Sequence, residues 1–301
     1  MDIAVGNVVG SNIFNVFFIL GLCSLITPLV VHPQIIRLDV PIMVGVSLLL
    51  WVLSLDGRIS RTDGILLLSG IALYTVFAIR QSRKESHETQ SEFQNLPPLQ
   101  RSMKNYLTSL LMILGGLAFL IYGSKVFVQG AVMLAQRMGV SELVIGLTVV
   151  AAGTSLPEVI TSLIAAFRGQ RDIAVGNVVG SNIYNILAIL GFSGIMAREG
   201  VPVSEAVLGF DIPVMIGAAL ACLPIFFTGH RISRVEGVLF LFLCLAYNVF
   251  LILKSSEHDA LHLYNHWMLS FVLPLLFATL LISFVRSLAT MGKWVKPPSA
   301  L

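Results

Sequence analysis

The residues best suited to chemistry lie in one apolar segment, which contains the sequence AAGTSLPEVITS. Glu158 is the only acidic residue deep in such a segment, while Thr154 and Ser155 precede it by four and three residues, on the same face of a helix. Pro157 lacks an amide hydrogen, so the carbonyl of Gly153 loses its helical partner. A carboxylate, two hydroxyls and freed carbonyls form an all-oxygen set suited to a hard cation such as Na⁺ or Ca²⁺.

A plainer interpretation of the same residues is a helix kink in which the carboxylate is paired with a basic side chain. Lys125 lies within another apolar segment and could serve as that partner of Glu158. In this alternative the segment contributes to packing and binds no ion.

Two stripes of polar side chains recur at helical spacing of i, i+4 and i+8: Asn177, Ser181 and Asn185, and, early in the chain, Asn7, Ser11 and Asn15. Serine and asparagine on such a stripe often hydrogen-bond between packed helices. Where they face a broken helix that carries a carboxylate, they can instead coordinate an ion. Both interpretations are open from spacing alone.

The elements that must position these residues are membrane helices. The chain is 56% hydrophobic and only 12% charged, with a mean hydropathy of +0.89, whereas soluble domains carry about 25% charged residues. An apolar helix of about 20 residues spans the hydrocarbon core. We predict nine spans, at about 3–30, 40–55, 64–79, 106–136, 143–167, 173–197, 212–229, 235–253 and 267–285.

Lysine and arginine predict the orientation. If the polar segment 80–105 is cytoplasmic, alternation places 13 of these residues inside and five outside, with Lys125 within a span, as the positive-inside rule expects. The net charge of +3 therefore reflects membrane topology. The sequence lacks the interleaved aromatic and basic residues that line the grooves of nucleic-acid-binding proteins, so no nucleic-acid partner is expected.

The opening of the chain is repeated later in it. Sixteen of 20 positions are identical between 2–21 and 172–191, and LDVPIMVG (38–45) and GRISRTDG (57–64) return as FDIPVMIG and HRISRVEG. The chain crosses the membrane five times between Asp2 and Asp172, an odd number, so the copies enter the membrane from opposite faces. The predicted fold class is an all-α, polytopic membrane protein with an inverted-topology repeat, an architecture common among secondary transporters.

GTSLPE on one helix, followed by GNVVGSNIYN on the next, resembles the calcium/cation antiporter superfamily, which includes the sodium/calcium exchangers and their bacterial relatives. The likeness covers about residues 2–253. It implies ten helices in two inverted repeats of five, around a central site that binds Na⁺ and Ca²⁺ alternately. The resemblance implies a ligand set of eight residues: Glu158, Ser155, Thr154, Ala151 (through its carbonyl), Ser181, Asn185, Ser11 and Asn15.

The first repeat departs from this pattern, because two helices precede RDIAVGN and none precedes MDIAVGN. We therefore expect an N-terminally truncated member, lacking a segment about as long as 107–171 with its own GTS-PE-like motif. The expected domains are 1–80 (first repeat, three helices), 81–105 (cytoplasmic loop), 106–256 (second repeat, five helices) and 257–301 (extra helix and tail).

The predicted function is a Ca²⁺/Na⁺ antiporter in the inner cell membrane, with no enzymatic activity and no cofactor besides the transported ions. Exchange of Ca²⁺ or another cation for H⁺, and a membrane remnant that does not transport, are the alternatives. A hydrolase using Ser155 or Ser181 lacks a general base, because every histidine lies in a loop or at a membrane edge. His258, His262 and His266 are expected in a polar connector, and the three cysteines in the core.

Overall fold

The computed structural model describes residues 3–89, 103–139, 151–153, 155–227 and 230–275, with a few further positions up to 285. The described chain is almost entirely helical, which confirms the predicted all-α membrane fold. Backbone amides in the hydrocarbon region must find partners within their own segment, and helices provide them.

The first repeat runs from one long interrupted helix to a third membrane helix. Its elements are α1 (Ile3–Phe14), a π-helical turn (Asn15–Leu20), α2 (Gly21–Ile26), strand β1 (Leu29–Val30), a second π-helical turn (Ile35–Asp39), α3 (Val40–Leu53), β2 (Arg58–Ile59) and α4 (Arg61–Thr89).

The second repeat has the same order after two additional helical segments. Its elements are α5 (Met103–Arg137), the short α6 (Ala151–Gly153), α7 (Leu156–Phe167), α8 (Arg171–Tyr184), a π-helical turn (Asn185–Leu190), α9 (Gly191–Met196), β3 (Val201–Pro202), a π-helical turn (Val207–Asp211), α10 (Ile212–Phe227), β4 (Arg231–Ile232) and α11 (Arg234–Ser255).

Seven helices in the described part are long and apolar enough to cross a membrane. They correspond to seven of the nine predicted spans; the other two, 143–167 and 267–285, lie partly outside the described residues. The predicted span at 40–55 begins earlier, at Ile35, because a π-helical turn joins α3 without a break. The span predicted from residue 212 likewise begins at Val207.

Two short strand pairs show that the repeats are inverted. Strand β1 pairs antiparallel with β4, so Leu29 lies opposite Ile232, and β2 pairs antiparallel with β3. The connection after α2 therefore lies at the same end of the molecule as the connection after α10. The connection after α3 meets the one after α9 at the other end. Corresponding helices of the two repeats therefore run in opposite directions.

Each repeat also packs the end of its copy of the duplicated helix against the last helix of the other repeat. Helix α2 contacts α11, and α9 contacts α4. Glycines permit both crossings: a Cβ on Gly237 would collide with Ser24, and one on Gly64 would lie 2.7 Å from the carbonyl oxygen of Gly191. Close approach at small residues is a common way to join membrane helices.

A tyrosine in each repeat fixes the start of the neighbouring helix. Tyr74 donates a hydrogen bond to Asp39 at 3.1 Å, and Tyr247 donates one to Asp211 at 2.8 Å. Both aspartates end a π-helical turn. The matching geometry shows that Tyr74 and Tyr247 occupy equivalent positions in the two repeats.

The chain after α11 forms α12 (Ala260–Trp267) and a π-helical turn (Met268–Val272). The hydroxyl of Tyr264 donates a hydrogen bond of 2.7 Å to the carbonyl of Ala246, and an apolar cavity of about 640 Å³ lies between this segment, α10 and α11. His258, His262 and His266 are exposed. Among the described residues no group of three or more His, Cys, Asp or Glu side chains is arranged to hold a metal.

Candidate cation site

The broken helix predicted from Pro157 is present in the structure. Helix α6 ends at Gly153, Ser155 forms a turn with φ −96° and ψ 5°, and α7 begins at Leu156 with Pro157 in its first turn. The amide of Val159 donates to the carbonyl of Ser155 at 3.0 Å, which starts the new helix. A Cβ at Gly153 would collide with a methyl group of Val128, so a larger residue here would force that side chain to move.

Glu158 lies in the first turn of α7 and is half-buried. Its Oε2 atom is buried and has no hydrogen-bond partner. Within the described ranges the one ion pair joins Arg58 and Asp56, and Lys125 is exposed. The alternative in which Lys125 neutralises Glu158 is therefore not what the structure shows.

A serine pair joins the two repeats beside this carboxylate. The hydroxyl oxygens of Ser11, on α1, and Ser155, in the helix break, lie 2.8 Å apart. The two residues are 144 positions apart in sequence, and Ser155 is fully buried. The first helix of repeat one thus reaches directly into the break of repeat two.

Two asparagines of the predicted ligand set form hydrogen bonds between the repeats, and one of them, Asn185, contacts the serine pair. Asn185 donates to the hydroxyl oxygen of Ser11 at 3.4 Å and to Oδ1 of Asn12 at 2.9 Å. Asn15 donates to Oδ1 of Asn182 at 3.0 Å, and its own Oδ1 is buried without a hydrogen-bond partner.

The remaining predicted ligands are placed less directly. Ser181 is half-buried on α8, and Ala151 is the first residue of α6. Thr154 lies outside the described residues. Asn177, from the same stripe, donates to Ser162 at 2.9 Å and to the backbone carbonyl of Glu158 at 3.4 Å, so it fastens α8 to α7.

Asn12 and Asn182 were missed by the sequence analysis. They are 1% and 3% exposed and link the two repeats at their centre. The stripe at i, i+4 and i+8 includes Ser11 and Asn15 but not Asn12, which directly follows Ser11. The signal that could have found them is the GSN triplet, which is identical in both copies.

The arrangement provides an oxygen-rich site with a single carboxylate among the described residues. Hydroxyl, amide and carboxylate oxygens are ligands of hard cations such as Na⁺ and Ca²⁺. A carboxylate buried in a membrane without a basic partner indicates a functional site. The helix break, the carboxylate and the oppositely oriented repeat meet here, as they do in secondary transporters.

A sequence model described as "sodium/calcium exchanger protein" matches residues 1–80 and 108–253. The chain belongs to the sodium/calcium exchanger family. Its members are membrane transporters rather than enzymes, and this chain is a multi-pass membrane protein of the cation antiporter type.

Individual relatives agree with this assignment. The CaxA protein of Alkalimonas amylolytica is 38% identical over 257 residues, covering 83% of this chain and 79% of that protein. The sodium/calcium exchanger MaX1 of Methanosarcina acetivorans is 33% identical over 284 residues, covering 83% and 80%. The solved structure of the sodium-calcium exchanger NCX_Mj superimposes with a TM-score of 0.64 at 29% identity, covering 80% of this chain and 74% of that one.

Proposed function

We propose that this exchanger moves Ca²⁺ out of the cell in exchange for Na⁺, by rocking of the two inverted repeats around the site at Glu158. The observation that carries the proposal is the contact between Ser11 and Ser155, 2.8 Å apart, beside a buried carboxylate oxygen without a partner. A site shared by two oppositely oriented repeats can be exposed to either side of the membrane in turn.

The proposed ligands are the eight residues implied by the family resemblance: Glu158, Ser155, Thr154, the carbonyl of Ala151, Ser181, Asn185, Ser11 and Asn15. The structure supports the set at its centre, where Ser11, Ser155 and Asn185 share a hydrogen-bonded cluster. We place the protein in the inner cell membrane. In the proposed orientation the polar segment 80–105 lies in the cytoplasm, because this puts most Lys and Arg residues inside.

Coupling to H⁺ is the second candidate, and one observation favours it. Glu158 has no basic partner among the described residues, so its carboxylate can take up a proton when no cation is bound. In that variant, protonation of Glu158 replaces Na⁺ binding in the return step.

The direct test is uptake of radioactive Ca²⁺ into everted membrane vesicles under an imposed Na⁺ gradient or an imposed pH gradient. Uptake driven by Na⁺ supports the proposal, and uptake driven by pH alone supports the second candidate. We expect Glu158→Gln to reduce uptake to the level of vesicles without the protein, because the site loses its charge. Glu199→Gln, at an exposed carboxylate, is the matched control and should retain uptake.

The antiport proposal fails if neither gradient moves Ca²⁺ into vesicles that contain the protein. A membrane scaffold without transport activity predicts that result. It also predicts that Glu158→Gln and Glu199→Gln behave alike.

A further inference from the structure

Four asparagine side chains form a hydrogen-bonded network between α1 and α8 and the π-helical turns that follow them. Asn12 and Asn182 occupy equivalent positions in the two repeats, and so do Asn15 and Asn185. Each bond of the network has a counterpart related by the inverted symmetry. Three of the four residues are almost completely buried: Asn12, Asn15 and Asn182.

Backbone carbonyls fix the orientation of the inner pair. The amide nitrogen of Asn12 donates to the carbonyl of Asn182 at 3.2 Å, and that of Asn182 donates to the carbonyl of Asn12 at 3.3 Å. The same nitrogens lie 3.6 Å from the sulfur atoms of Met215 and Met43. A carbonyl oxygen only accepts hydrogen bonds, so neither amide can be reversed without losing its partner.

The inner pair in turn fixes the orientation of the outer pair. With its nitrogen occupied, Asn182 offers Oδ1 to the nitrogen of Asn15 at 3.0 Å, and Asn12 offers Oδ1 to the nitrogen of Asn185 at 2.9 Å. The nitrogen end of each outer amide is therefore held, and its oxygen is the end left for other partners. At Asn15 that oxygen is buried with no hydrogen-bond partner.

We propose that Asn12 and Asn182 are positioning residues that make Asn185 and Asn15 present oxygen, rather than N–H, to the transported cation. An asparagine at a cation site can bind only through its oxygen, and a reversed amide would direct two donors at the ion. This inference rests on the proposed function, since it assumes that Asn15 and Asn185 contact the cation.

A purely structural role of the network is distinguished by a double-substitution cycle. Asn182→Leu keeps the number and branching of side-chain heavy atoms and removes the acceptor that holds Asn15. The amide of Asn15 can then rotate, and we expect Ca²⁺ affinity to fall by about tenfold, which corresponds to one lost hydrogen bond of about 1.4 kcal/mol. In the Asn15→Asp background the same change should cost less than about twofold, because both ends of a carboxylate are oxygen atoms.

The measurement is equilibrium binding of radioactive Ca²⁺ to the full chain purified in detergent, with thermal unfolding recorded on each sample. An equal loss of affinity in both backgrounds overturns the inference, because damaged helix packing would not depend on the residue at position 15. If the unsubstituted chain binds no Ca²⁺, or if Na⁺ does not compete with the Ca²⁺ that it binds, the proposed function itself fails. The two failures are therefore distinct.

The inverted symmetry supplies a second cycle should Asn182→Leu not fold. Asn12→Leu removes the acceptor that holds Asn185, and Asn185→Asp is the matching background. The same pattern is expected: a loss of about tenfold with asparagine at position 185 and little loss in the carboxylate background. Equal losses here overturn the inference in the same way.

Discussion

The two repeats contain nearly the same helix in different surroundings. Ile19, in the π-helical turn of repeat one, is completely buried, whereas its counterpart Ile189 in repeat two is 50% exposed. Phe192 and Met196 are also exposed, while the equivalent Leu22 and Ile26 are half-buried. The sequences match at 16 of 20 positions, so the difference arises from the neighbours of the helix.

The neighbour responsible is α7. It packs against the π-helical turn Asn15–Leu20 and against α2 of the first repeat. No described residue covers the equivalent face of Asn185–Leu190 and α9 in this way. The broken helix therefore does two things: it carries Glu158 to the site, and it buries one copy of the repeated helix. A repeated sequence specifies a helix and its polar face, but not how much of that helix is buried.

The largest difference in stability between the repeats is expected at Ile19 and its counterpart Ile189. Ile19→Ala should lower the free energy of unfolding by about 2–5 kcal/mol, because it leaves a cavity against α7. Ile189→Ala should change it by less than about 0.5 kcal/mol, since the side chain is half-exposed. Unfolding of both variants in detergent, followed by circular dichroism, measures the contrast. Equal losses would mean that the two helices are covered alike.

The glycine crossings should instead respond alike in both repeats. Gly64→Ala and Gly237→Ala each force a Cβ into a neighbouring helix, and each should cost about 1–3 kcal/mol. Gly217→Ala is a suitable control, because a Cβ there meets nothing within 4 Å. The same unfolding assay applies. If only one of the two substitutions lowers the free energy of unfolding, the contacts α2–α11 and α4–α9 are not equivalent in the two repeats.

The smallest expected effect concerns the turn before the last helix of each repeat, α4 and α11. Gly57 has φ +81° and the equivalent His230 has φ +53°, a region that disfavours residues with a Cβ by about 1–2 kcal/mol. His230→Gly should therefore raise the free energy of unfolding by about 1 kcal/mol, and Gly57→His should lower it by a similar amount. A loss of stability in His230→Gly would show that the histidine side chain contributes more than its strained backbone costs.

Much of the fold followed from apolar run lengths and from the repeat. An odd number of membrane crossings from the start of one copy to the start of the next requires inversion, and the strand pairs β1–β4 and β2–β3 show it directly. The strands themselves could not be predicted, because pairs of two residues leave no periodic signal. The π-helical turns likewise shift helix starts, such as Ile35, by several residues without a recognisable sequence mark.

The site was predictable where its chemistry is unusual. A glutamate and a proline within an apolar segment indicate a break and a charge at one place, which made Glu158 and Ser155 conspicuous. Asn12 and Asn182 were not, because an asparagine beside a polar stripe looks like any packing residue. Their role depends on which backbone carbonyl each amide faces, and only the packing of the two repeats against each other determines that.

The central claim is that the two repeats meet at Ser11 and Ser155, and a disulfide between these positions tests it most directly. The experiment uses Ser11→Cys with Ser155→Cys in a chain whose three buried cysteines are replaced by alanine, with a protease site inserted in segment 90–102. The control pairs Ser11→Cys with Thr161→Cys, an exposed position on α7. After oxidation and cleavage, we predict that the two halves of the serine-pair variant stay joined until reduced. Halves of the serine-pair variant that separate without reductant would contradict the account.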